Sequence, residues 1–289
     1  MMIITDRLNT TTSSTLVDVD IESRPLCWFI LPTMKHGMLG LAIFIMSATL
    51  VIIPSHRRLR KRHHIFPYNL VLSDFCGAIV FAVFEGTGEL PLEYVEALQT
   101  ISVTSFIVSL LSIVLVAGYQ FITIRVDPFG AQNIITTPRL IIACLLTWAF
   151  SFSISVTTVL TISEYTTIFT LLLCISLITT TITGFCYVLI YRSVAKVPCE
   201  GNITAARKEE NQRVLRTFGL VFGTTVVCWI CPWVHWAFLS LGFEYMCLFN
   251  AGDMMICANW IANCVIYWWR LKEFRAIFSS SAVGIVDVL

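Results

Sequence analysis

Apolar stretches long enough to cross the hydrocarbon core of a bilayer, about twenty residues each, alternate with short polar connections along most of this chain. The alternation predicts seven spans at roughly 28–55, 66–86, 92–122, 137–161, 166–194, 213–240 and 247–269. Lys35-His36 interrupts the first, and Glu93 and Glu96 sit on the leading turn of the third. Residues 1–27 read as a polar tail, 28–269 as the membrane domain, and 270–289 as a short amphipathic helix with a tail. The expected fold is all-α: a seven-transmembrane helix bundle with a short amphipathic eighth helix. No repeat of 20–50 residues is visible in the chain, which argues against the symmetric halves of many transporters.

The composition excludes a soluble globular domain, because 57% of the residues are hydrophobic, 13% are charged and the mean hydropathy is +0.81. A net charge of +1 conceals a segregation by loop. Placing the amino terminus outside puts 16 of the 19 Lys and Arg on the cytoplasmic side and leaves Arg7, Arg24 and Lys35 elsewhere. Glu85, Glu89, Glu93, Glu96, Glu164 and Glu244 gather on the opposite side, so only this orientation satisfies the positive-inside rule. The first residues lack a basic region followed by an apolar one, so no cleavable signal peptide is expected and the first span directs insertion. A multi-pass plasma-membrane protein is the expectation, with Asn9-Thr10-Thr11 as a glycosylation acceptor. Of eleven cysteines, most fall inside apolar runs, and only Cys27 and Cys247 sit where an oxidising exterior can pair them.

An ionisable residue in a span needs a partner, and Asp74 lies inside the second. Ser109 on the third span and Asn259 with Asn263, four residues apart on one face of the seventh, are candidate partners. Together these oxygens form a polar core suited to a small hard cation such as Na+. The plainer alternative is helix-to-helix hydrogen bonding alone. Pro232 removes a backbone bond from the sixth span, with Trp229 about one turn inward. Tyr187 and Tyr267 lie near the inner ends of the fifth and seventh, where a phenol reaches the polar core or sits as an interfacial anchor.

Taken in order, these residues resemble the rhodopsin-like family of G-protein-coupled receptors, from the first span to residue 278. Asn69-Leu70 with Asp74 resembles the second-helix motif, Trp148 the single Trp of the fourth, and Cys186-Tyr187 the fifth-helix Tyr. Cys228-Trp229 with Pro232 is similar to the sixth-helix Cys-Trp-x-Pro. Asn263 with Tyr267 looks like Asn-Pro-x-x-Tyr, followed by an eighth helix with Leu271, Phe274 and Phe278 on one face. The resemblance implies an outer ligand pocket, coupling to a heterotrimeric G protein, a sodium cluster at Asp74, Ser109, Asn259 and Asn263, and switch roles for Trp229, Pro232, Tyr187 and Tyr267.

Departures accompany it. Where the family has Asp-Arg-Tyr at the inner end of the third helix, this chain reads Tyr119-Gln120-Phe121, and an amide cannot make the bidentate charged contacts of Arg. Cys264 replaces the seventh-helix proline, and one extra residue separates Trp229 from Pro232. The lack of a cysteine at the outer end of the third span, of a proline in the fifth, and of a long second outer loop looks most like the melanocortin, cannabinoid and lysophospholipid branch.

Glu85, Glu93, Glu96 and Asp253 are the candidate ligand-binding residues, a negative rim that favours a basic peptide or a cationic small molecule. A solvated acidic collar is the alternative for the loop glutamates. Ser102, where monoamine receptors carry Asp, counts against an amine transmitter. The rival classes are a transporter or ion pathway using Asp74 and Asp253, and a receptor-fold protein with altered G-protein coupling. No motif of a hydrolase or metalloenzyme occurs, so an enzyme is not expected.

Overall fold

The computed structural model describes residues 26–60, 62–87, 90–126, 135–162, 165–195, 202–243 and 245–270. Among these residues every regular element is helical. Seven long helices run α1 Leu31–Ser55, α2 Ile65–Gly86, α3 Leu92–Phe121, α4 Thr137–Thr161, α5 Tyr165–Ala195, α6 Asn202–Ser240 and α7 Met246–Arg270. A π-helical turn, Leu26–Ile30, leads into α1, and a second, Ile122–Val126, extends α3. The Asn9 acceptor and the expected eighth helix lie outside the described residues.

Helices α1 to α6 are each long and apolar enough to cross a membrane. α7 falls short because Asn250, Asp253, Asn259 and Asn263 lower its mean hydropathy, yet it is 25 residues long and packs in the bundle. Many of the Ser and Thr hydroxyls in the spans bond back to their own helix. In α4, Ser153, Thr157 and Thr161 donate to the carbonyls of Ala149, Ser153 and Thr157 at 2.9, 2.9 and 2.6 Å. In α5, Thr179 and Thr183 do the same to Ile175 and Thr179, both at 2.8 Å. Each hydroxyl is thereby satisfied within its own helix, as a hydrocarbon surrounding demands.

The ends follow local chemistry. Pro32 and Pro138 stand in the first turns of α1 and α4, where a missing N–H is harmless. α6 stops at Gly242, whose φ of 82° is the left-handed conformation that glycine adopts without penalty. There the N–H of Gly242 donates to Leu239 and that of Phe243 to Phe238, both at 3.0 Å, closing a Schellman motif.

The largest departure from the hydropathy pattern is the start of α6. Residues 202–212 read as part of a polar inner loop, but the helix already begins at Asn202. Ala205-Ala206-Arg207-Lys208-Glu209-Glu210 is made of strong helix formers, so the helix continues past the apolar run that marks its membrane portion.

α3 is the central post and packs against α2, α4 and α5. The remaining neighbours, α5 on α6, α6 on α7, α7 on α1 and α1 on α2, form an arc that α3 closes through α2 and α5, with α4 packed chiefly against α3. Burial agrees with the central place of α3: 61% of its span is buried, against 28% for α1, α4 and α5. The outward faces of α4 and α5 carry Leu145, Leu146, Phe150, Phe185 and Tyr191, all exposed, as a lipid-facing surface requires. At one end of the bundle Cys27 and Cys247 form a disulfide, and Asn250 donates to the Cys27 carbonyl at 3.1 Å. At the other end, Leu59 is fully buried between α1 and α2, against Tyr68 and Trp268, and holds the exposed Arg57, Arg60 and Arg62 in place.

A candidate ligand cavity between two carboxylate sites

Between α2, α3, α5, α6 and α7 the bundle encloses a cavity of about 210 Å³. Its deep end is Asp74. That carboxylate is 2% exposed and receives the Ser109 hydroxyl on Oδ1 at 2.6 Å and the Asn263 amide on Oδ2 at 3.2 Å. Both of these side-chain partners are neutral, and unpaired oxygens occur on the same helices. The Oδ1 atoms of Asn259 and Asn263 and the Oγ of Ser105 are buried without a hydrogen-bond partner among the described residues. A carboxylate with unpaired amide and hydroxyl oxygens around it is a donor set that fits Na+.

The walls are aromatic. Trp229 and Trp236 lie two turns apart on one face of α6, 5.7 Å between ring centroids, and Phe106 of α3 packs on them at 5.1 and 5.6 Å. Phe169 of α5 approaches Trp236 at 6.0 Å, and Phe81 of α2 meets Trp260 of α7 edge-on at 6.4 Å. Ser102 and Gln99 add polar atoms to the α3 side. Trp233 points elsewhere: its indole N–H donates to Ser176 at 2.8 Å and ties α6 to α5.

The end nearer the disulfide holds a second acidic site. Glu85 of α2 and Asp253 of α7 both line the cavity, and the Lys35 ammonium reaches them from α1 at 2.8 and 3.6 Å. The Lys35 side chain is only 4% exposed. Periodicity explains its inward aim, because Lys35, Leu39, Ala42, Met46, Thr49 and Ile53 are the buried residues of α1 and recur at helical spacing. His36 adds an Nε2 contact to Glu85 at 3.2 Å from a half-exposed ring.

The structure distributes the anticipated residues unevenly. Asp74, Ser109 and Asn263 come together, with Asn259 buried one turn from Asn263. Glu85 and Asp253 meet across the cavity, but Glu93 and Glu96 are exposed and off its wall. The reason is helical phase: Val95, Gln99, Ser102 and Phe106 form the inward face of α3, and Glu93 and Glu96 project from other sides. Glu89 and Glu244 lie outside the described residues. Trp229 lines the aromatic wall, and Pro232 is fully buried against Gly252 of α7, where an added Cβ would lie 3.6 Å from the Pro232 backbone.

Farther toward the arginine end, Tyr187 and Tyr267 share one apolar cluster with Phe66, Leu70, Val116 and Val221. Tyr187 stacks near Phe222 at 5.4 Å, and Tyr119 sets its edge on Phe66 at 6.1 Å. Gln120, anticipated on the inner surface with Tyr119 and Phe121, is instead 2% exposed, its amide N and O both without a hydrogen-bond partner among the described residues. It lies in phase with Ile113, Val116 and Ala117 on the buried face of α3. A relay that the sequence did not announce joins three helices: Trp148 Nε1 donates to Asn69 Oδ1 at 2.9 Å, and Asn69 Nδ2 donates to Ser112 at 2.8 Å.

Residues 47–167 match the sequence model of the 7 transmembrane receptor (rhodopsin family). The matched stretch runs from the middle of α1 into the start of α5 and contains Asn69, Asp74, Ser109 and Trp148. Over it the chain is similar to receptors of that family, and its apolar helices mark it as a multi-pass membrane protein. No curated protein matches the chain.

Proposed function

We propose that the chain is a cell-surface receptor of the rhodopsin-like type, with its amino terminus and disulfide outside and its arginine-rich end in the cytoplasm. The orientation is supported by the placement of 16 of 19 Lys and Arg. The observation that carries the reading is the single cavity running from the Glu85 and Asp253 pair, past Trp229 and Trp236, to Asp74. It is aromatic in the middle and acidic at both ends, which suits a small cationic ligand with an apolar body better than a large basic peptide. We infer an affinity with the melanocortin, cannabinoid and lysophospholipid branch from the pattern of missing cysteine and proline.

In this reading the ligand body presses on Trp229 and Trp236, both on α6. α6 lacks the backbone bond that residue 232 would make to Cys228, so its two segments can adjust against each other around Pro232. Asp74 joins α2, α3 and α7 through Ser109 and Asn263, and a change in the α6–α7 contact reaches it through Asn263. Na+, when bound at Asp74 with Ser109 and the Asn oxygens, would neutralise the carboxylate and favour one packing of these helices. The movement ends at Tyr187 and Tyr267, above the surface that a heterotrimeric G protein would read.

A second reading is favoured by Gln120: the receptor fold is kept, but standard G-protein activation is not. A buried amide offers the partner neither a guanidinium nor an exposed donor. G-protein dissociation in cells expressing the chain, recorded basally and on challenge with small amines and cationic peptides beside Gln120→Arg, separates the two. Coupling through heterotrimeric G proteins requires a ligand-dependent response of the wild type; a response confined to Gln120→Arg gives the second reading, and ion flux that disappears in Asp74→Asn points instead to a permeation pathway.

A further inference from the structure

Four groups surround the buried Lys35 ammonium: the Glu85 carboxylate at 2.8 Å, the Asp253 carboxylate at 3.6 Å, and the rings of Phe81 and Phe249 at 5.6 and 5.7 Å from their centroids. Two acids and two aromatic faces make the chemistry that recognises an organic ammonium. All four also line the cavity, whereas Lys35 reaches them from behind, from α1. Two carboxyl groups share one lysine, with the half-exposed His36 ring beside Glu85. Asp253 Oδ2 is buried without a hydrogen bond, its distance to Nζ being too long for one. A cation entering through the cavity therefore meets the same four groups from the open side, with one acceptor already free.

We propose that this is an ammonium-recognition site whose resting occupant is the chain's own Lys35, and that a primary amine ligand takes its place. The inference rests on the reading of the cavity as a ligand pocket and names the ligand's chemical class and its anchor. The anchor is on α2 and α7, which is consistent with Ser102 on α3 carrying no charge. Displacement would remove the one lysine among the described residues that pairs α1 with both α2 and α7, leaving the His36 contact to Glu85 and the Cys27–Cys247 disulfide in place. As a tethered competitor, Lys35 keeps weak amines out and sets the affinity that a ligand must exceed.

The test is chemical rescue on the full chain, purified in lipid nanodiscs, with thermal unfolding as the readout. The probe is n-butylammonium, which reproduces the end of a lysine, with tetramethylammonium and sodium chloride as controls at equal ionic strength. Lys35→Ala should melt lower than wild type and regain about 2–4 °C with butylammonium, while the controls and wild type barely respond. The regain should vanish in Lys35→Ala/Asp253→Asn. Equal responses of wild type and Lys35→Ala, or rescue by tetramethylammonium as strong as by butylammonium, would overturn the proposal.

Should Lys35→Ala fail to fold unaided, recovery of folded protein only from cells supplied with butylammonium supports the site. Failure with and without the amine, while the neutral variant Lys35→Met/Glu85→Gln/Asp253→Asn folds, overturns it. Because the readout is binding, rescue without any cellular response to amines retains this site and counts against the receptor reading. A cellular response without rescue does the reverse.

Discussion

The two acidic sites of the cavity solve one problem in opposite ways. Asp74 is held by neutral donors, a hydroxyl and an amide, with further unpaired oxygens near it. Glu85 and Asp253 are instead held by a buried cation that belongs to the protein. Isolating a carboxylate from water is expensive, and a neutral cage offsets only part of that penalty, whereas a lysine neutralises it outright. The difference teaches that the deep carboxylate has only neutral partners among the described side chains, whereas the outer pair already holds a cation of the protein's own.

The largest effect that separates the sites should come from removing the built-in cation. Lys35→Met leaves the partly buried Glu85 and Asp253 carboxylates without their lysine and should destabilise the folded chain by up to about 3–5 kcal/mol, the range for breaking a fully buried pair. Thermal unfolding in nanodiscs measures it. Replacing the triad together, as Lys35→Met/Glu85→Gln/Asp253→Asn, should recover most of that loss, and a triple variant no more stable than the single would break the comparison.

Next in size is the deep site. Ser109→Ala removes one hydrogen bond to a charged group and should lower stability by about 1.5–3 kcal/mol, with the drop reduced when Asp74 is already Asn. Independent, additive effects of the two substitutions would contradict the pairing at 2.6 Å. Smallest of all should be Glu93→Gln and Glu96→Gln. Both residues are exposed and off the cavity wall, so each should change stability by less than about 0.5 kcal/mol and leave amine responses unaltered.

Most of the architecture was legible from hydropathy, because a span must satisfy its backbone internally and only a helix of about twenty apolar residues does so here. The exceptions have physical causes. α6 begins earlier than its apolar run because helix propensity does not stop at the membrane surface. α7 is the reverse case, a span whose amides and carboxylate weaken the apolar signal but face partners inside the bundle. Lys35 was passed over as an interruption of the first span. Its register with Leu39, Ala42 and Met46 was in the sequence and places it inward, but the partner acids are 50 and 218 positions away, and only the fold brings them together. Gln120 follows the same rule: its place at the family's Asp-Arg-Tyr position suggests the inner surface, but its helical phase buries it. The Trp148 relay is invisible to periodicity because it depends on which neighbours α4 chooses.

The most direct test of the contrast between an open and a filled acidic site is a sodium titration of thermal stability in nanodiscs, with N-methylglucamine chloride holding ionic strength constant, on wild type, Asp74→Asn and Asp253→Asn. The account predicts that sodium raises the melting temperature of wild type and of Asp253→Asn and has no effect on Asp74→Asn. A sodium effect that survives in Asp74→Asn, or that is lost in Asp253→Asn alone, would contradict it.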